Sequence, residues 1–330
     1  MKQTLLALIV LLGTVGGCSR KEESGGAGRP VIAVIPKGTT HEFWKSIHAG
    51  AVKASRELNV EIIWKGPLKE DDREAQISVV EDFVSRKVSG IVLAPLDDAA
   101  LRAPVSGAMS AGIPVVIIDS DLQGDDYTSF VATDNYLGGQ LAGKRMIDLL
   151  HGKGKVAMLR YQEGSASTTK REQGFLDALA AAPGITVVSS SQYGGATTES
   201  SYRASENLLS PLKSAQRRLS VDGIFTPNES TTFGMLRALQ DGGIAGSVVF
   251  LGFDSSPKLV EGLEKGEIQG LVLQNPFRMG YVGVTTMVSR LSGNAVERKI
   301  DTGVTMVTQE NMNQPEIREL LRPDLARWLE

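Results

Sequence analysis

The chain has 330 residues, enough for two domains, and 42 % hydrophobic with 22 % charged residues is a globular composition rather than a disordered or fibrous one. A formal net charge of −3 and a pI near 5.8 carry no basic excess, which argues against a nucleic-acid surface. Cys18 is the single cysteine, so no disulfide can close within the chain.

Residues 1–18 read as a targeting segment: Lys2 precedes the apolar run Leu5 to Leu12, and the small residues Gly16 and Gly17 precede Cys18. The run is short for a bilayer span. Val15-Gly16-Gly17-Cys18 resembles a bacterial lipoprotein signal box, which implies cleavage before Cys18 and a lipid on its thiol. The alternative is a secretory signal cut elsewhere, with Cys18 discarded. Residues 19–30, polar and rich in Gly, Glu and Lys, read as a flexible tether.

Val31 to Ile35 is a short apolar run stopped by Pro36. A polar turn follows, and Phe43 and Trp44 open a helical pattern through Ile47, Ala51, Ala54 and Leu58. In a parallel sheet the loop leaving a strand's carboxyl end lies at the ligand crevice, which puts the two aromatic rings beside a pocket. They are equally well read as core residues on the helix's buried stripe. Strand and helix then alternate: Val60–Trp64, a helix carrying Ile77 to Val88, Ile91–Ala94, a small-residue helix to Ala111, and Ile113–Ile118 running into Asp119. Nearly continuous apolar strands are the mark of a parallel sheet covered on both faces.

The pattern restarts with a helix over Leu137–Leu150, a strand at Val156–Leu159, a helix over Thr169–Ala181, and further strands at Ile185–Val188, Gly223–Phe225 and Val248–Leu251. Two similar α/β units are therefore predicted. Ile268–Gln274, a helix to about Leu291 and a loosely patterned tail are too short for a third domain and should complete the other two. His48 is expected on the first helix's surface.

Just past the strands stand Lys37, His41, Asp97, Asp98, Asp119 and Asp121, then Glu163, Asn228, Asp254 and Gln274. Carboxylates and amides accept and donate in the plane of vicinal hydroxyls, and arginine adds a fork of donors, so with an aromatic face they suit a polyol. For any single one of them the plainer reading is a cap on the next helix, and only the set points to a ligand. Gly164 to Lys170 lacks the glycine a phosphate loop needs before its lysine. The Asp119, Asp121, Asp125, Asp126 cluster lacks the spacing of a calcium loop, and His41, His48 and His151 offer no metal-ligand spacing.

With these residues in place the chain resembles the periplasmic ribose/galactose-type sugar-binding proteins, relatives of the lactose-repressor effector core, over roughly residues 31 to 310. Phe43-Trp44 looks like the aromatic pair that stacks on the sugar. Val115–Asp119 resembles the strand ending in a ligand Asp, and Ala132–Gly139 the first crossing between lobes. The family's sugar-binding arginine falls on Arg171, its Asn on Asn228, its Asp on Asp254 and its Gln on Gln274, while Tyr193 takes the place of a further stacking aromatic. Two departures stand out: Ser120 replaces a second arginine after the ligand Asp, and His41-Glu42 replaces an Asn-Pro before the aromatic pair. Plain ribose is therefore in doubt, and Lys37, His41 or Glu42 could supply different polar contacts.

The resemblance implies an α/β fold of two doubly wound parallel-sheet lobes, the type I periplasmic binding protein architecture, joined by a three-strand hinge. The amino-terminal lobe would be 31–133 plus 275–303 and the carboxyl-terminal lobe 134–274 plus 304–330. It implies a monomeric, non-enzymatic protein without cofactor or metal, lipid-anchored at Cys18 in the periplasm or on the outer face of the cell membrane. That protein would clamp a monosaccharide or related polyol between its lobes and hand it to the membrane subunits of an ABC permease. The alternative is a sugar sensor serving a chemoreceptor or membrane histidine kinase. A transcription regulator would need an amino-terminal helix-turn-helix that residues 1–30 do not carry, and a sugar-cleaving enzyme would need a paired acid and nucleophile, which the sequence does not offer.

Overall fold

A computed structural model describes residues 28–214, 216 and 218–330. Cys18, the signal segment and most of the tether lie outside the described residues. The tether was expected to reach residue 30, but Arg29 is already docked, its guanidinium donating to the carbonyls of Asn59 and Val60.

Successive β-α pairs build the first unit: β1 (Val31–Ile35), α1 (Glu42–Leu58), β2 (Glu61–Trp64), α2 (Arg73–Ser85), β3 (Gly90–Leu93), α3 (Arg102–Ser110), β4 (Val115–Ile118) and β5 (Ser129–Ala132). The second unit holds α4 (Asn135–Leu149), β6 (Lys153–Arg160), α5 (Ala166–Ala180), β7 (Gly184–Tyr193), α6 (Thr198–Leu209), β8 (Gly223–Phe225), α7 (Glu229–Asp241), β9 (Val249–Phe253), α8 (Pro257–Glu264) and β10 (Gly270–Leu273). The chain closes with α9 (Pro276–Leu291), β11 (Lys299–Asp301), β12 (Thr305–Val307), α10 (Pro315–Leu321) and α11 (Ala326–Leu329).

These strands form two six-stranded sheets, ordered β11-β5-β4-β3-β1-β2 and β12-β10-β9-β8-β6-β7. Every pairing is parallel except that of β12 with β10. The central strands bury both faces: β3, β4, β8 and β10 are inaccessible throughout, and separate apolar clusters cover the two faces of each sheet. β7 alternates exposed and half-buried residues because it is an edge strand.

The chain passes between sheets three times, after β5, after β10 and between β11 and β12. The tail does not stay with the carboxyl-terminal lobe as expected. Ile317 and Leu321 of α10 enter that lobe's core, but α11 returns to the amino-terminal lobe. There the Trp328 carbonyl accepts Arg56 Nη2 at 3.1 Å and its ring lies 6.3 Å from that of Phe277. An indole and two nearby guanidiniums, Arg56 and Arg327, make that contact both apolar and cation–π in character.

Glycines set the helix pairs nearest the site. A Cβ on Gly139 of α4 would sit 2.0 Å from the Arg171 carbonyl of α5, and one on Gly174 would sit 2.1 Å from that of Tyr136. Gly50 and Gly280 play the same part between α1 and α9, at 1.9 and 2.0 Å. The absent side chains let each helix pair close, and in α5 this places Arg171.

Candidate ligand-binding site

Where the strand ends of the two sheets face each other, a narrow polar chamber forms, lined from one lobe by Lys37, His41, Phe43, Trp44, Glu70 and Asp119. The other lobe supplies Tyr161, Ser167, Arg171, Asn228, Glu229 and Asp254, with Gln274 at the crossing. Its central carboxylates are structural counterparts: β4 and β9 hold the same place in their sheets, and Asp119 and Asp254 follow them with φ of 63° and 67°. A non-glycine residue held in the left-handed region is strained, and such strain concentrates at functional sites.

A buried cation stands beside each. Lys37 Nζ lies 3.0 Å from Asp119 and also donates to Ser165 Oγ and Ser167 Oγ of the opposite lobe. Arg171 Nη1 lies 3.8 Å from Asp254, its Nε donates to Asn135 Oδ1 at 2.8 Å, its Nη1 donates to the Pro227 carbonyl, and the guanidinium stacks 4.0 Å from the Phe253 ring. Burial pushes the Asp254 carboxyl upward, more than Arg171 at that distance restores, and burial likewise lowers Arg171. Asp254 is further held by Gln274 Nε2 at 2.7 Å and the Glu229 backbone N–H at 3.1 Å.

Glu70 is a second hub. It accepts from Trp44 Nε1 at 2.7 Å and Tyr161 Oη at 2.6 Å and pairs with His41 Nδ1. Burial alone would raise the carboxyl, but the imidazolium and Lys37 hold it well below the usual range; burial alone would lower His41, but Glu70 holds it well above. Glu229 accepts the backbone N–H groups of Phe43 and Glu42, so an acid from one lobe caps the first helix of the other.

Of the residues picked from sequence, the chamber brings together His41, Phe43, Trp44, Asp119, Arg171, Asn228, Asp254 and Gln274. Two have other positions. Ser120 is wholly buried and its Oγ accepts the Ser167 backbone N–H, so it ties the β4 turn to α5 rather than lining the chamber; the cation beside Asp119 is Lys37. Tyr193 is 41 % exposed at the end of the edge strand, beneath the Arg160 guanidinium, and Tyr161 is the tyrosine that reaches inward. Asn228 also does the plainer work weighed for it, as N-cap of α7 in a capping box with Thr231. Asp97 caps the approach to α3, Asp98 holds Gln123, Asp121 pairs with Lys170, and His48 is half-buried, stacked on Trp64 rather than on the surface. Glu70, Tyr161 and Glu229 were missed. Tyr161 directly follows β6, so reading past every strand would have found it.

Two matched α/β lobes with strand-end carboxylates facing across a hinge agree with a family match over residues 32–295 to the periplasmic binding protein domain. The chain belongs to that family. Similar family members include the D-allose-binding periplasmic protein of Escherichia coli, 29% identical over 78% of this chain and 83% of its own. The ribose import binding protein of Salmonella typhimurium is 26% identical over 93% of this chain and 98% of its own. Among solved structures, an ABC transporter solute-binding protein from Agrobacterium vitis with bound D-fucose is 37% identical, with a TM-score of 0.84 over 88% of this chain and 100% of its own. A carbohydrate transporter solute-binding protein from Agrobacterium radiobacter in complex with D-arabinose is 31% identical, with a TM-score of 0.84 over 90% of this chain and 100% of its own. Among the described residues no three His, Cys, Asp or Glu side chains are placed to hold a metal ion, and no helix is long and apolar enough to cross a membrane.

Proposed function

We propose that this protein is the extracytoplasmic solute-binding component of an ABC-type importer and that it captures a monosaccharide or related polyol between its lobes. The observation that carries this reading is the pairing of Asp119 with Lys37 and Asp254 with Arg171 across one chamber walled by Phe43. Each carboxylate accepts two hydroxyl donors and each cation supplies donors to ring and hydroxyl oxygens, while an aromatic ring covers C–H groups. The allose, ribose, fucose and arabinose named for similar proteins are all monosaccharides.

The chamber's polar groups bond one another across the cleft, so a sugar enters when the lobes part and then exchanges its hydroxyls for those contacts. Asp254, Arg171, Asn228 and Tyr161 of the carboxyl-terminal lobe grip it from one side, and Asp119, Lys37 and Phe43 of the other lobe complete the grip on closure. Ligand contacts from both lobes favour the closed form by differential affinity, and the closed form is what a permease distinguishes. The protein works as a monomer tethered through lipidated Cys18, so Cys18→Ser should move it from the membrane fraction to the soluble one.

Titration calorimetry with D-allose, D-ribose, D-fucose, D-arabinose, D-galactose and xylitol tests the reading. At least one should bind with micromolar Kd, on the order of −8 kcal/mol. Binding of amino acids or nucleosides with none of these carbohydrates would overturn it.

A further inference from the structure

A second cavity of about 270 Å³ adjoins the polar chamber and shares Phe43, Asp254 and Gln274 with it. Beyond that shared wall the lining is mainly apolar: Pro257 at the start of α8, then Leu320, Leu321, Pro323 and Leu325 of the tail, with Glu42, Ser255, Ser256 and Arg322 as its polar members. The tail is fixed over this space because Leu321 is anchored in one lobe's core and Trp328 on the other lobe.

Ser46 of α1 and Gln274 after β10 complete the cavity's wall on the chamber side. Ser46 and Gln274 are 3 % and 4 % exposed. An apolar cavity of about 150 Å³ already takes benzene, and this one exceeds that; the polar chamber, about 30 Å³ in this closed arrangement, admits a sugar ring only as the lobes part.

We propose that the ligand is a glycoside whose sugar ring occupies the polar chamber and whose aglycone occupies the second cavity. The aglycone is an apolar ring or short branched chain, matched to the leucine and proline side chains of the tail. A second sugar would find partners in Glu42, Ser255, Ser256 and Arg322 on one side only and would set its other hydroxyls against Leu320, Leu321, Pro323 and Leu325, which favours an apolar group there. This rests on the sugar-binding reading above and specifies its substrate class.

Calorimetry on the full chain compares each free sugar with its α- and β-phenyl glycosides and with a disaccharide of the same reducing unit. One phenyl glycoside is expected to bind at least tenfold tighter than its free sugar. Leu325→Trp, which fills the cavity from the tail, should erase that advantage and leave the free sugar's Kd within twofold of wild type; Ser46→Leu, filling it from α1, should do the same. Free sugar binding with no phenyl glycoside preferred, a disaccharide preferred over every phenyl glycoside, or an advantage that survives both substitutions overturns the glycoside assignment and leaves the sugar reading standing. No binding by any sugar, free or substituted, overturns both.

Discussion

The Glu229 carboxylate accepts the Phe43 backbone N–H at 3.1 Å, joining the first turn of α7 to the first turn of α1 across the cleft. Burial in this contact raises its pKa from 4.5 to about 7, with Asp254 adding to the shift and His41 and the two backbone donors opposing it. In the parted form the carboxyl meets water and returns toward its ordinary value. Closure therefore takes up a proton between those limits. The contribution to closure is fully present below about pH 4.5 and is lost as pH rises through 7. Sugar affinity should fall about tenfold between pH 5 and 8, since each pKa unit is about 1.4 kcal/mol and part of the shift is relieved by relaxation. Glu229→Gln keeps an acceptor for Phe43 and should flatten the profile; an unchanged slope would show that Glu229 does not report closure. His41, also raised, keeps its main partner Glu70 in the same lobe when the cleft opens and loses only the weaker attraction of Glu229 and Asp254, so it adds less to the slope than Glu229 does.

Arg171→Ala should abolish measurable sugar binding. It leaves Asp254 without its cation and Asn135 Oδ1 and the Pro227 carbonyl without donors. Breaking a buried pair by removing one member costs about 3–5 kcal/mol, so the variant should also unfold at lower temperature. Arg171→Met restores packing on Phe253 without the charge and separates the effects: thermal stability should recover in part while calorimetric binding stays lost.

The tyrosines that follow β6 and end β7 should behave oppositely. Tyr161→Phe removes the hydroxyl that donates to Glu70 Oε2 from the other lobe, and sugar affinity should drop at least threefold. Tyr193→Ala changes an exposed ring under Arg160 and should stay within twofold of wild type. The reverse order in calorimetric Kd values would return the stacking role to Tyr193.

That contrast shows where the sequence stops being legible. Apolar runs ending in Asp119, Asp254 and Gln274 announced parallel strands and the polar ends that face the cleft, because burial on both sheet faces writes itself as continuous Val, Ile and Leu. β11 and β12 were not seen, since three-residue edge strands such as Lys299–Asp301 expose polar side chains and carry no period. Glu70 was hidden in a loop whose role depends on His41, Trp44 and Tyr161, three residues distant in sequence. Tyr193 also ends a strand, and only the sheet order, which puts β7 at the edge, shows that its ring lies largely outward.

Gly174→Ala tests whether close helix packing positions the site. The added methyl carbon would lie 2.1 Å from the Tyr136 carbonyl, a backbone atom that cannot swing aside. α5 must move off α4, and overpacking of this kind costs about 1–3 kcal/mol. Arg171 lies one turn earlier on α5, its carbonyl 2.0 Å from where a Cβ on Gly139 would be, so the displacement carries the guanidinium away from Asp254. Both Tm and sugar affinity should fall together. Gly107→Ala in α3 is the matched control: nothing lies within 4 Å of its new methyl group, and replacing a compatible glycine by alanine should raise stability by about 0.4–1 kcal/mol with affinity unchanged. A Gly174→Ala protein with wild-type Tm and Kd would show that α4 and α5 tolerate a wider spacing and that Arg171 is placed by its own hydrogen bonds alone.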